Sequence, residues 1–163
     1  PRRQSASDAS RAVVLPRLLV RTKLGIHSMI ALTPLYAGLL ALFFAVLRFC
    51  VIGMRQSARI GLGDGGNLLL TRLLRVHGNF AEYVPLVLIL MLMLEIQERP
   101  NWQIHLVGAS LIAGRILHAI GVSQEPENYK IRTAGMILTF SALITGGLAN
   151  LGLGGLSALI ASY

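Results

Sequence analysis

Four apolar runs, each about as long as a bilayer is thick, constrain this chain more than any other feature. Met29 to Ile52, Leu68 to Leu94, Trp102 to Val122 and about Ala134 to Leu151 each approach the roughly 20 residues that carry a helix across about 30 Å of hydrocarbon. The expected class is therefore all-α, an integral membrane four-helix bundle. Composition agrees, because only 13% of the 163 residues are charged, about half the share usual in soluble domains. One domain over residues 29–152 accounts for all four runs.

Residues 1–28 stand apart. They hold six of the fifteen basic residues and one of the seven acidic ones, so +5 of the +8 net charge is N-terminal. Two readings are open: a segment outside the functional fold (an over-called start, a targeting segment or an added leader), or a basic tail held by anionic lipid headgroups. Residues 153–163 form a short apolar tail suited to the membrane interface. The partner this charge and hydropathy imply is a lipid bilayer, and nucleic acid is not expected. The single cysteine, Cys50, excludes an intrachain disulfide and a cysteine-built metal site, and its apolar setting favours packing over reactivity.

Connections fall where turn residues cluster. Met54 to Asn67 contains Gly63-Asp64-Gly65-Gly66, whose glycines suit positive φ. Glu95 to Asn101 reads as a tight polar turn, and Ser123 to Lys130 as the third connection. Loops one and three share one side and carry Arg55, Arg59, Lys130 and Arg132, against Arg99 alone in loop two. The positive-inside bias makes that shared side cytoplasmic.

Ionisable residues inside such runs are where function is sought, since each costs roughly 2.5 to 3.5 kcal/mol in a spanning segment on insertion scales. In the second run Arg75, Asn79 and Glu82 stand at i, i+4 and i+7 and line one helical face, with Arg72 a turn earlier. A guanidinium holds a carboxylate, an amide donates and accepts, and a carboxylate takes an ammonium, so the stripe complements a small zwitterion with excess negative charge. Its bland counterpart is Arg75 and Glu82 pairing with each other or across helices. The third run repeats the pattern in Arg115 and His118, one turn apart, and Arg132 opens the fourth. All three sets gather at one membrane surface near Arg55 and Arg59, which implies a convergent cationic pocket. His118 alone reads equally well as a hydrogen-bonded packing residue, and His105, near the far end of its helix, as solvated or interfacial. Gly146, Asn150 and Gly154, spaced by four, read as close helix packing.

These residues, Arg75-Val-His-Gly-Asn-Phe-Ala-Glu-Tyr-Val-Pro85 with Gly114-Arg115, His118 and Arg132, resemble the MAPEG family, membrane-associated proteins in eicosanoid and glutathione metabolism. The likeness covers about Met29 to Leu151. The Gly-Asp-Gly-Gly cluster and Arg132-Thr-Ala-Gly-Met make it most similar to the bacterial inner-membrane branch. The resemblance implies a homotrimer binding glutathione between neighbouring subunits at the cytoplasmic end. It assigns Arg75, Asn79 and Glu82 to the tripeptide, Glu82 facing the α-ammonium, with Tyr83, Arg115 and His118 lining the same site and Arg132 on the thiol. A guanidinium there stabilises the thiolate, the competent nucleophile, and Arg55 is the second candidate for that role. The substrate class is a hydrophobic electrophile or a lipid hydroperoxide. Eicosanoid-synthesising members carry tyrosines where this chain has Val122 and Met136, which argues against a dedicated eicosanoid synthase.

Function classes thus stand as a glutathione-dependent transferase or peroxidase, or a non-catalytic membrane module binding glutathione or an anionic lipid headgroup. A haem carrier fails on geometry, because His105 and His118 are 13 residues, about 20 Å, apart on one helix. A small transporter finds no support in a broken helix pair or an internal repeat.

Overall fold

The computed structural model describes residues 30–152. The expectations for residues 1–28 and 153–163, and for Gly154, lie outside them. The described residues form four helices: α1 Leu32–Ala58, α2 Leu68–Ile96, α3 Asn101–Ser123 and α4 Tyr129–Asn150. All four are long and apolar enough to cross a membrane. Their order gives an up-down-up-down bundle, with the α1–α2 and α3–α4 connections at one end and the α2–α3 turn at the other.

Local chemistry sets the boundaries. Asn67 accepts from the Leu70 backbone N–H at 3.0 Å and Asn128 from that of Ile131 at 3.2 Å, so α2 and α4 each begin on an asparagine cap worth about 1 kcal/mol. The expected turn over residues 63–66 is present, with Gly63, Gly65 and Gly66 all at positive φ. Asp64 braces it, accepting from the Gly66 N–H at 3.0 Å and the Thr71 hydroxyl at 2.8 Å. Those two bonds, the backbone one first, hold its carboxyl below the usual 3.8. Helix α1 runs past the expected end at Ile52 to Ala58 and stops on Arg59 at φ 55°, whose successor Ile60 donates back to the Arg55 carbonyl at 3.0 Å.

Loop two, read as a tight polar turn from Glu95 to Asn101, starts later than in that reading. Helix α2 runs on through Pro85 to Ile96, and Glu95 is only 6% exposed. Its two oxygens accept from the backbone N–H groups of Leu32 at 2.6 Å and Thr33 at 2.8 Å, so it caps the start of α1 from 62 residues away. A spanning helix beginning with no acidic residue of its own takes one from its neighbour.

The core runs down the bundle through Leu40, Leu47, Phe80, Val87, Met91, Leu94, Ile104 and Leu111. Helices α3 and α4 pack most tightly. A Cβ on Gly121 would overlap the Arg132 backbone, and one on Gly135 the His118 backbone. This contact, rather than the expected spacing of Gly146 and Asn150, brings His118 and Arg132 together. A Cβ on Gly146 would meet Leu90 only at ordinary contact distance, and Asn150 donates to the Leu90 carbonyl at 3.1 Å. Large apolar side chains such as Leu42, Phe49, Ile89, Ile137, Ile144 and Leu148 face outward, as on a surface solvated by lipid. Cys50 is exposed on that outer surface rather than packed within the protomer.

Candidate functional site

A cleft of about 710 Å³ opens at the end of the bundle that carries loops one and three. Helix α2 supplies Thr71, Arg72, Arg75, Asn79 and Glu82; α3 supplies His118 and Val122; Glu127 and Arg132 come from the α3–α4 turn and the start of α4, and Asp64 from loop one. The helical stripe predicted on α2 is therefore one wall, and the close α3–α4 contact builds the other.

Arg75 and Glu82 do not pair. Among the described residues neither makes a hydrogen bond or an ion pair, and both are exposed on the cleft wall. This removes intrachain pairing as the reason for an arginine and a glutamate in a spanning helix. Asn79, between them, is held by Arg115, which is 2% exposed and donates to the Asn79 Oδ1 at 2.5 Å. The same guanidinium donates to the Thr139 hydroxyl from Nε at 3.1 Å and again from Nη2, and lies 5.7 Å over the Tyr83 ring. The Thr139 hydroxyl in turn donates to the Gly135 carbonyl at 2.9 Å. Arg115 thus orients Asn79 from behind the cleft wall, leaving the amide N–H groups of Asn79 for a ligand.

Tyr83 is likewise behind that wall, edge-on to Phe140. His118 is 5% exposed and lines the cleft, and Val122 below it leaves apolar surface at the place the resemblance singled out. Met136, the other such place, accepts from Arg115 through sulfur at 3.6 Å. Arg55 stands outside the lining and donates to the carbonyls of Ile60 at 3.4 Å and Gly61 at 3.2 Å, closing the end of α1.

The pocket differs from a purely cationic one. Arg72, Arg75 and Arg132 line it together with three carboxylates, Asp64, Glu82 and Glu127. Arg132 pairs with Glu127 at 2.7 Å, and Arg72 with Glu125 at 3.8 Å while donating to the Gln124 carbonyl at 2.9 Å. The sequence pattern pointed to a convergent cationic pocket, because Glu125 and Glu127 lie in a connection whose course no periodicity predicts. Thr71, Glu127 and Thr139 are among the residues it missed. A signal for Thr139 existed, since it stands four residues beyond Gly135 on the face that meets α3.

Comparison with known proteins follows the same residues. Residues 33–152 match the MAPEG family model. The chain belongs to the MAPEG family. It is also similar to the inner membrane protein YecN of Escherichia coli strain K12, 38% identical over 117 residues, which cover 72% of this chain and 88% of that protein. The YecN of Escherichia coli O6:H1 strain CFT073 matches with the same identity and coverage.

Proposed function

We propose that this MAPEG protein is a glutathione-dependent transferase or peroxidase of the inner membrane, acting as a homotrimer on hydrophobic electrophiles or lipid hydroperoxides. The observation that carries the reading is the pair of unpartnered charges, Arg75 and Glu82, on one wall of a cleft whose other wall brings Arg132 and His118. Seven residues of helix separate the two by about 10 Å, the reach of an extended tripeptide. Arg75 takes a carboxylate of glutathione, Asn79 donates to its backbone, and Glu82 accepts from its ammonium. Arg132 stands where the cysteinyl sulfur then lies, and a cation there favours the thiolate over the thiol.

Exposure supports assembly. Arg75 and Glu82 open outward from a helix that crosses the bilayer, and Arg48, exposed on α1, makes no hydrogen bond or ion pair among the described residues. Facing lipid, such groups are costly; neighbouring copies covering the cleft remove that cost and seat the ligand between subunits. YecN is by name an inner membrane protein, and the basic residues of loops one and three support a cytoplasmic cleft end, where thiols are kept reduced.

The test is conjugation of a soluble aryl halide by purified protein in detergent. Parent turnover falling about a hundredfold in Arg132→Ala is the expected result. Turnover unchanged in that variant removes Arg132 from the chemistry, and a parent that binds glutathione without turnover leaves a binding module.

A further inference from the structure

We propose that Glu127 sets how much of a bound thiol is ionised, by competing for the arginine that the thiolate needs. This rests on the glutathione reading above. Glu127 Oε1 is 2.7 Å from Arg132 Nη1, and its side chain is only 16% exposed against 45% for Arg132. The carboxylate is fixed rather than free to swing away. Next to it, Asn128 donates through its backbone N–H to the Gly121 carbonyl at 3.0 Å and caps α4 through its side chain. Arg72 anchors the same turn by the Gln124 carbonyl at 2.9 Å. Turn and helix start are thus locked on either side of the pair, and Glu127, Arg132 and His118 line one cleft.

A guanidinium has five donors, so Arg132 can hold Glu127 and a sulfur at once. The charges do not share so easily. With Glu127 in place the cation is already neutralised, and a thiolate formed beside it meets a fixed negative charge a few ångströms away. Ionisation therefore costs more than beside a bare arginine. Glu127 holds the ligand partly protonated, so that the nucleophile is restrained. Glu125, two residues earlier and 72% exposed, pairs with Arg72 at 3.8 Å and has no such hold. The two glutamates form a matched comparison on one turn.

The experiment follows the ultraviolet thiolate band of glutathione bound to the full chain in detergent, as a function of pH, beside calorimetry of glutathione binding. Glu127→Gln keeps an acceptor for Arg132 and removes the charge; it is expected to raise the thiolate-to-thiol ratio about fivefold at fixed pH, the effect of one charge at about 4 Å in water. Glu125→Gln is expected to change the ratio less than about twofold. If Glu127→Gln fails to fold, Glu127→Ala carries the same expectation. An unmoved titration with binding intact overturns this proposal alone. A lower thiolate fraction also overturns it, and makes Glu127 an acceptor of the thiol proton instead. No glutathione heat in the parent overturns the binding reading beneath it.

Discussion

The two ends of the bundle use the same kinds of side chain to opposite purposes. At the α2–α3 end, Glu95 takes two backbone N–H groups of α1, Arg99 donates to the Ala149 carbonyl at 2.6 Å, and Asn150 takes Gln97 at 2.9 Å while giving to Leu90. Tyr36 meets His105 Nδ1 at 2.9 Å. Each of these charged or amide groups ends on the protein itself. At the other end Arg75 and Glu82, equally costly in a membrane, end on nothing among the described residues. A group spent on its own chain stabilises the fold. One left unspent on a cleft wall is what the proposed ligand would take.

That contrast can be broken at its strong side first. Glu95→Ala leaves the first N–H groups of α1 without their acceptor and should lower stability by about 3 kcal/mol, read from unfolding in detergent and denaturant. An unchanged unfolding midpoint would mean that those groups find other partners. Arg75→Ala should do the reverse, leaving stability unchanged or slightly raised while weakening glutathione binding about tenfold or more, the loss of one charge-assisted hydrogen bond. Calorimetry beside a melting curve separates the two effects, and a destabilised Arg75→Ala would erase the distinction between the ends. Tyr36→Phe, which removes the hydroxyl facing His105, should cost about 1 kcal/mol of stability with no change in glutathione affinity.

The smallest effect is a pH dependence. The Asp64 carboxyl is held below its usual value by the Gly66 N–H and the Thr71 hydroxyl. A depressed folded-state value stabilises the loop above the unfolded value of about 3.9 and loses that contribution as pH falls through the lowered one. Hydrogen exchange over residues 60–67 should therefore show no protection change between neutral pH and about pH 5, and a loss only in strong acid. Protection lost near neutrality would point to another titrating group.

Much of this was legible in the sequence, for physical reasons that name its limits. Apolar runs of bilayer length gave the four helices, because length and hydropathy are nearly all that a spanning helix needs. The stripe of Arg75, Asn79 and Glu82 was legible because helical periodicity fixes which residues share a face. Arg115 was legible as important but not as a support for Asn79, since a long side chain reaches a partner that no spacing reveals. Glu95 looked like a turn residue because its partners are backbone groups of another helix, which carry no sequence signature. Glu127 was missed for another reason: it stands only five residues before Arg132, but in a connection whose backbone course no periodicity gives.

The proposal stands or falls on whether the cleft holds glutathione between copies of the chain, on charges left unpaired within one copy. Native mass spectrometry of the full chain released from detergent, with glutathione added, tests assembly and occupancy in one measurement. The expected result is a trimer that carries glutathione and loses it in Arg75→Ala while remaining a trimer. A monomer, or a trimer that binds as much glutathione with Arg75 replaced as with it present, would contradict it.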